Sequence, residues 1–281
     1  EQGGGSLGPS LFYFMTTQKP LILATNDDGI QSHFLLAMVK QLIGFAEVIV
    51  CAPDGERSWI GHAISRHQKL IPVEQKEYPT LAFSLNGTPA DCVNLACGNL
   101  LPRPPDLVMS GINLGYNVTL PMILSSGTVG AALEGSLLGF KSLASSMALP
   151  NEEFEVVRKS CGSQISKGVE NSLLEAARAS ARYAKLVLDL SNPSGLVVHN
   201  LNFPTEYDGK DPVISFAGSL HLGSIFEQTK GEEYHQLVYR PEWLENAKPE
   251  IGSDLWALNE GMASASRLDF AQLSGKSYLE T

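Results

Sequence analysis

Residues 21–53 read LILATNDDGIQSHFLLAMVKQLIGFAEVIVCAP, and this stretch decides the fold. Leu21 to Thr25 is an apolar run of strand length, the pattern of a strand buried on both faces. His33 to Ile43 places Phe34, Leu35, Met38, Val39 and Leu42 at helical spacing, and Glu47 to Cys51 is a second apolar strand stopped by Ala52-Pro53. Strand, helix and strand in that order predict a parallel sheet with right-handed crossovers. Between the first strand and the helix lies Asn26-Asp27-Asp28-Gly29. Two adjacent carboxylates thus arrive at the carboxyl end of the sheet, the edge where open α/β sheets bind ligands. Such charges repel, and a hard divalent cation relieves them. A plain polar turn is the competing reading, because Asn, Asp and Gly are the residues that turns favour.

Outward from this unit the alternation continues. Segments near Gln68 to Val73 and Leu81 to Leu85 predict a hairpin, and Thr88-Pro89 opens a helix to about Asn99, with Thr as N-cap and Pro at the first position. Asp106 to Ser110 reads as a third core strand, Gly111 to Ser126 as a Gly/Asn loop, and the chain from Gly127 as a small-residue helix ending at Gly139. Ser142 to Leu149 and Gly195 to Asn200 are strands, with a long helix over Glu170 to Leu190. Beyond Pro204 polar, hairpin-like pieces lead to Asp254–Ala257 and a tail. The expected fold class is α/β. A Rossmann-like three-layer domain with a mostly parallel sheet spans 15–205, and a C-terminal β-hairpin/helical arm, expected to serve oligomerisation, spans 206–281. Residues 1–14 are Gly-rich with a short apolar patch and no basic start, so they read as an extension outside the fold, with Met15 as the natural beginning.

Composition narrows the function. With 281 residues, 43% hydrophobic and 18% charged, the chain can bury a sizeable core. A net charge of −10 and a pI near 5.1 leave no basic footprint for a nucleic-acid duplex. No apolar run reaches the roughly 20 residues of a membrane span. Cys51, Cys92, Cys97 and Cys161 form no CxxC and sit mostly in apolar stretches, which suits buried free thiols in a reducing compartment, the cytoplasm.

Four loops follow predicted parallel strands and project from one edge. They carry Asp27-Asp28, then Ser58, then Asn113 with Asn117, then Ser125-Ser126-Gly127-Thr128. Carboxylate, hydroxyl and amide oxygens are hard ligands that suit Mg²⁺, Mn²⁺ or Ca²⁺. Ser126-Gly127-Thr128 opens a helix, whose N–H groups and dipole favour an anion that a glycine lets approach; a simple N-cap is the alternative. Metal ligands beside an anion nest suit a phosphate ester, with the metal polarising a phosphoryl oxygen and lowering the pKa of an attacking water. For His62, a general acid competes with a structural loop histidine. Arg57 either clamps a phosphate or bonds its own loop, and Tyr116 either stacks on a base or packs as a loop aromatic. Asp91 at a helix start needs no catalytic role.

Several ordered motifs carry a resemblance. Leu23 to Ile30 (LATNDDGI), Ala52 to Ser58 (APDGERS), Gly87 to Val93 (GTPADCV), Pro105 to Asn113 (PDLVMSGIN), and Ser126 to Ala132 (SGTVGAA) with Glu134-Gly135 resemble SurE, the survival-protein nucleotidase family. Glu260-Gly261 is a weaker match. The resemblance implies a divalent-metal phosphomonoesterase acting on nucleoside monophosphates, some members of which also trim polyphosphate. It implies one divalent metal ion per subunit, Mg²⁺ or Mn²⁺, on Asp27, Asp28, Ser58 and Asn113. Asp27, Asp28, Asn113 and Ser126 would carry catalysis, and Ser126, Gly127, Thr128 and Asn117 would bind substrate. A homodimer or homotetramer is implied, with a C-terminal arm exchanged between subunits.

The chain departs from that family in two places. Val118 to Ser125 (VTLPMILS) reads one residue longer, lacks a carboxylate and makes the site wall more apolar, and Met262 to Arg267 (MASASR) replaces an aromatic and β-branched tail. Two other classes compete. A receiver domain would place a phosphoacceptor aspartate after the Pro-Asp-Leu-Val strand, where this chain has Ser110, Gly111 and Asn113. A non-catalytic nucleotide-binding or assembly module would explain the altered loop but gives no physical need for the Asp27-Asp28 pair.

Overall fold

The computed structural model describes residues 18–191, 195–238, 240, 242–245 and 247–274. The 1–14 extension and Met15 lie outside these residues. In chain order the first elements are β1 (Leu21–Thr25), α1 (His33–Leu42), β2 (Glu47–Pro53), β3 (Pro72–Glu74), β4 (Ala82–Leu85) and α2 (Pro89–Leu95), extended by a π-helical turn over Ala96–Leu100. They are followed by β5 (Leu107–Leu114), α3 (Thr119–Ser125), α4 (Gly127–Leu137), β6 (Lys141–Met147), α5 (Asn151–Lys159), α6 (Lys167–Asp189) and β7 (Val197–Phe203). The last part holds β8 (Val213–Ser215), β9 (Phe226–Gln228), β10 (His235–Leu237), α7 (Glu242–Glu245), α8 (Asp254–Asn259) and β11 (Ser264–Asp269), and ends in a 3₁₀ turn over Phe270–Ser274.

One nine-stranded sheet runs β3-β4-β2-β1-β5-β6-β7-β11-β8, and β9 pairs with β10 in a separate antiparallel hairpin. Strands β4, β2, β1, β5, β6 and β7 are mutually parallel, so their carboxyl ends share one edge. All five residues of β1 are buried, as a central strand covered on both faces requires. Helices α1 and α6 pack on one face and α2 and α4 on the other, which makes the three layers predicted. Phe34, Leu35, Met38, Val39 and Leu42 form the buried stripe of α1, and the Ser32 hydroxyl caps it by accepting the Leu35 N–H at 3.3 Å. Thr88 and Asp91 close a reciprocal capping box on α2, which gives Asp91 its structural role.

The 111–126 loop is corrected. The third core strand does not stop at Ser110: it continues to Leu114 after a register shift, and Asn113 pairs with Ser146 of β6. The shift needs Gly111, because φ there is +125° and a Cβ would stand 2.1 Å from the Ser145 carbonyl oxygen. Composition reads as loop here because the same glycine that favours turns also lets a strand step over a bulge. Part of the remainder is α3, whose first N–H, from Thr119, is accepted by Asp254. Sequence reading also missed α5, and it left β11 as a tail. β11 instead lies antiparallel between β7 and parallel β8, so the 206–281 segment supplies sheet strands as well as the β9–β10 hairpin.

Asp254 joins this late segment to the site edge. It is fully buried and accepts the N–H groups of Thr119 (2.9 Å), Gly218 (2.9 Å) and Leu255 (2.8 Å). Burial pushes its pKa up while these three bonds pull it down. Replacing Asp254 with Ala strands three buried donors and is expected to cost about 3 kcal/mol or more. The check is a lower urea midpoint at unchanged m-value.

Candidate active site

Asn26 shapes the turn after β1. Its Oδ1 accepts the Gly29 N–H at 3.2 Å and its Nδ2 donates to the Gly29 carbonyl at 3.0 Å. The turn chemistry therefore rests on Asn26, and both aspartate carboxylates are free for other contacts. The turn reading of the stretch thus holds on Asn26, and it leaves the two carboxylates outside the turn.

Asp27 is buried against the N-terminus of α4. The Thr128 hydroxyl donates to its Oδ1, and a Cβ at Gly127 would fall 2.8 Å from Asp27 Cβ and 2.9 Å from Oδ2. Glycine at 127 is thus demanded by the close approach of Asp27 itself, a reason the sequence alone did not offer. Ser126 caps α4, its hydroxyl oxygen accepting the Val129 N–H at 3.1 Å. Gly127 and Thr128 hold the first helical positions, whose N–H groups have no partner within a helix.

Asp28 Oδ2 accepts the Leu114 N–H at 3.1 Å, which sets it beside Asn113. Asn113 donates its amide hydrogens to the carbonyls of Leu114 (3.3 Å) and Gly115 (2.8 Å), so the side-chain oxygen remains as its ligand atom. Burial pushes Asp27 from its ordinary 3.8 up to about 6, and pushes Asp28 well above the usual range, with the Asp27 charge adding to it. Glu56 raises both further.

The other expected residues stand apart from this pair. Ser58 is exposed, and its hydroxyl donates to Glu56 at 2.7 Å rather than meeting either aspartate. Asn117 is drawn into a buried network. Its amide donates to Ser146 at 2.9 Å, its N–H to Asn202 at 2.7 Å, and its carbonyl accepts from Asn200 and Asn202. His62 pairs with buried Glu134 at 2.6 Å, and Glu134 also accepts from Asn94, so this histidine ties its loop to α4. Arg57 bonds Asp54 (2.6 Å) and the Glu56 carbonyl (3.0 Å), the loop reading of that residue. Tyr116 packs with Val118, Leu244 and Leu255.

Sequence reading missed Glu56 and Arg158. Arg158 of α5 donates to Glu56 at 2.9 Å, and both line a cavity of about 90 Å³ beside Asp28. The signal was present: acidic Glu152-Glu153 in the first turn and basic Arg158-Lys159 in the last is the charge order a helix favours. A larger cavity of about 550 Å³ lies at the opposite edge, lined by Pro20, Asp106 and Lys141, and holds none of these groups.

The donor set fits a hard divalent cation. Desolvation holds buried Asp27 and half-buried Asp28 above their usual range, the Asp27 charge adds to the lift on Asp28, and a positive charge offsets both penalties. Among the described residues no three or more His, Cys, Asp or Glu gather into a metal-holding group, so a cation on this pair would draw its further ligands from neutral oxygens.

Comparison with known proteins adds a family. A model described as "Survival protein SurE" matches residues 22–218. A protein named 5'-nucleotidase SurE from Archaeoglobus fulgidus is 33% identical over 253 residues, covering 88% of this chain and 90% of its own. Its namesake from Moorella thermoacetica is 36% identical over 255 residues, covering 88% and 89%. The crystal structure of the SurE protein from Aquifex aeolicus superposes with a TM-score of 0.69 at 26% identity, covering 93% of this chain and all of that one.

The aspartate pair sets a pH signature. In metal-free protein the raised folded pKa values mean the native state holds protons that the unfolded chain has lost. The contribution of Asp27 is therefore full below about 3.8 and is lost as pH rises through about 6, and that of Asp28, also raised, is lost in the same direction. Manganese binding followed by calorimetry is expected to release protons near pH 6, and to raise Tm more at pH 7.5 than at pH 5. Glycine 127 supplies a second test: Gly127→Ala displaces Asp27 and is expected to cost 1–3 kcal/mol, roughly, in stability, with manganese affinity lost alongside.

Proposed function

This chain belongs to the survival protein SurE family, and we propose that it is a nucleotidase, a divalent-metal-dependent phosphomonoesterase acting on nucleoside monophosphates. The observation that carries the reading is the Asp27-Asp28 pair: Asp27 is buried on the helix start Ser126-Gly127-Thr128, and half-buried Asp28 stands beside Asn113. Relatives of the same name along most of the chain support the activity class.

Asp27, Asp28 and Asn113 would hold Mg²⁺ or Mn²⁺, with Ser58 joining once its hydroxyl leaves Glu56. When bound, such a cation polarises a phosphoryl oxygen and lowers the pKa of a water. The chain's own groups do the rest. The Gly127 N–H, at the positive end of α4, receives a phosphate oxygen, and the Ser126 hydroxyl donates to another, while Thr128 gives both its N–H and its hydroxyl to Asp27. Thr128 holds Asp27 in place and His62 with Glu134 holds the loop that carries Ser58. Arg158 neutralises Glu56, so that a dianionic ester is not met by three uncompensated carboxylates.

Four free cysteines suit a reducing, cytoplasmic setting. The exposed edge strand β8, with Ile214 81% accessible, suits pairing between subunits of a homodimer or homotetramer.

The test is phosphate release from nucleoside monophosphates and polyphosphate with Mg²⁺ or Mn²⁺ and with EDTA. Release is expected only with metal. Asp28→Asn should lower kcat/KM at least about a hundredfold, the scale of one lost charge-stabilising group, with the fold retained by circular dichroism. Undiminished release in EDTA, or full activity of Asp28→Asn, would overturn the assignment.

A further inference from the structure

A short span of the β2–β3 connection crosses between the two halves of the site. At one end the Arg57 N–H donates to the Asp27 carbonyl at 2.7 Å; at the other the Gly61 N–H donates to the Ser125 carbonyl at 2.9 Å. Gly61 is pressed onto the helices. A Cβ on Gly130 would meet the Gly61 carbonyl oxygen at 2.5 Å, and one on Gly61 would meet the Leu124 carbonyl oxygen at 3.0 Å. Trp59 stands midway between these anchors, two residues from each. Two extended residues reach only about 7 Å, so its Cα cannot leave the neighbourhood of Asp27 and Ser125.

The backbone of Trp59 has φ of +58°, the left-handed region that a bulky residue avoids. Its side chain is half-buried and makes no hydrogen bond or ring contact among the described residues. The fold therefore holds a large aromatic in a disfavoured conformation with no hydrogen-bonding or stacking partner among the described residues. Strain kept at a site edge is the pattern of a group positioned for a ligand. Next to it α3 leaves Leu120 and Leu124, one turn apart, 50% and 62% exposed.

We propose that Trp59 is the base-receiving residue of this site. Its indole stacks on the nucleobase of a nucleoside monophosphate whose phosphate lies at Ser126-Gly127-Thr128, with Leu124 on the apolar flank. The proposal rests on the nucleotidase reading above and adds a specificity determinant to it. Stacking accepts every base through its π-face, so the preference follows ring area, purine above pyrimidine, with little choice between adenine and guanine.

Trp59→Gly is the discriminating variant, because glycine suits φ of +58° and the fold should keep or gain Tm; Trp59→Phe restores a ring. With Mn²⁺ present, the ratio of kcat/KM for adenosine monophosphate over ribose 5-phosphate is expected to fall about tenfold in Trp59→Gly, the loss of one base–aromatic stack. The fall should lie in KM, and Trp59→Phe should recover most of it. Calorimetric affinity for adenosine monophosphate should drop by a similar factor, with or without turnover. An unchanged ratio and affinity in Trp59→Gly would overturn the proposal while leaving the phosphatase intact. A wild type that hydrolyses neither ester overturns the nucleotidase reading, and calorimetry then decides on Trp59 alone; no binding of adenosine monophosphate by the wild type overturns it too.

Discussion

The contact on which the rest of the site depends is a carboxylate lying on a bare helix start. Asp27, delivered by the buried strand β1, is received at the N-terminus of α4 by the Thr128 hydroxyl and by the missing side chain of Gly127. A helix start is favourable for negative charge, and here the protein's own carboxylate claims part of that field. The loop after β2 then hangs from Asp27 through its carbonyl, and α3 ends where α4 begins, at Ser126. Moving Asp27 would therefore move the carboxylate pair, the start of α4 and the Trp59 span together.

Electrostatics explains why so acidic a protein, with net charge −10, can suit an anionic substrate. Burial, more than repulsion, lifts the aspartate pair, so the site holds an unmet demand for positive charge. A hard cation would meet that demand and turn a repulsive edge into an attractive one for phosphate. Arg158, across from Glu56, completes the compensation from a helix far along the chain.

The segment beyond residue 206 does more than hang from the sheet. β11 and β8 extend it, and Asp254 reaches back to the first N–H of α3. The apolar wall at Leu120 and Leu124 is thereby set in part by residues more than a hundred positions later.

How much of this was legible follows from where the information lies. The strands β1, β2 and β6, helices α1 and α4, and the Thr88 cap were readable because the burial of each element is written in its own periodicity and end residues. The aspartate pair and Ser-Gly-Thr stood out for the same reason, by residue type and spacing, as neighbours of a strand end and a helix start. The bulge at Gly111, the helix over Thr119–Ser125 and the strand over Ser264–Asp269 were not, because each is held by a partner distant in sequence: the Ser145 carbonyl, Asp254 and β7. Tertiary structure alone also sent Asn117 into a buried network, turned Ser58 toward Glu56 and tied the span that carries Trp59 to Asp27 and Ser125. Local sequence determined which groups could do the chemistry, because residue type and spacing act within a few positions. Only the packed sheet decided which of them meet, because their contacts close loops as long as the 101-position separation of Asp27 and Thr128.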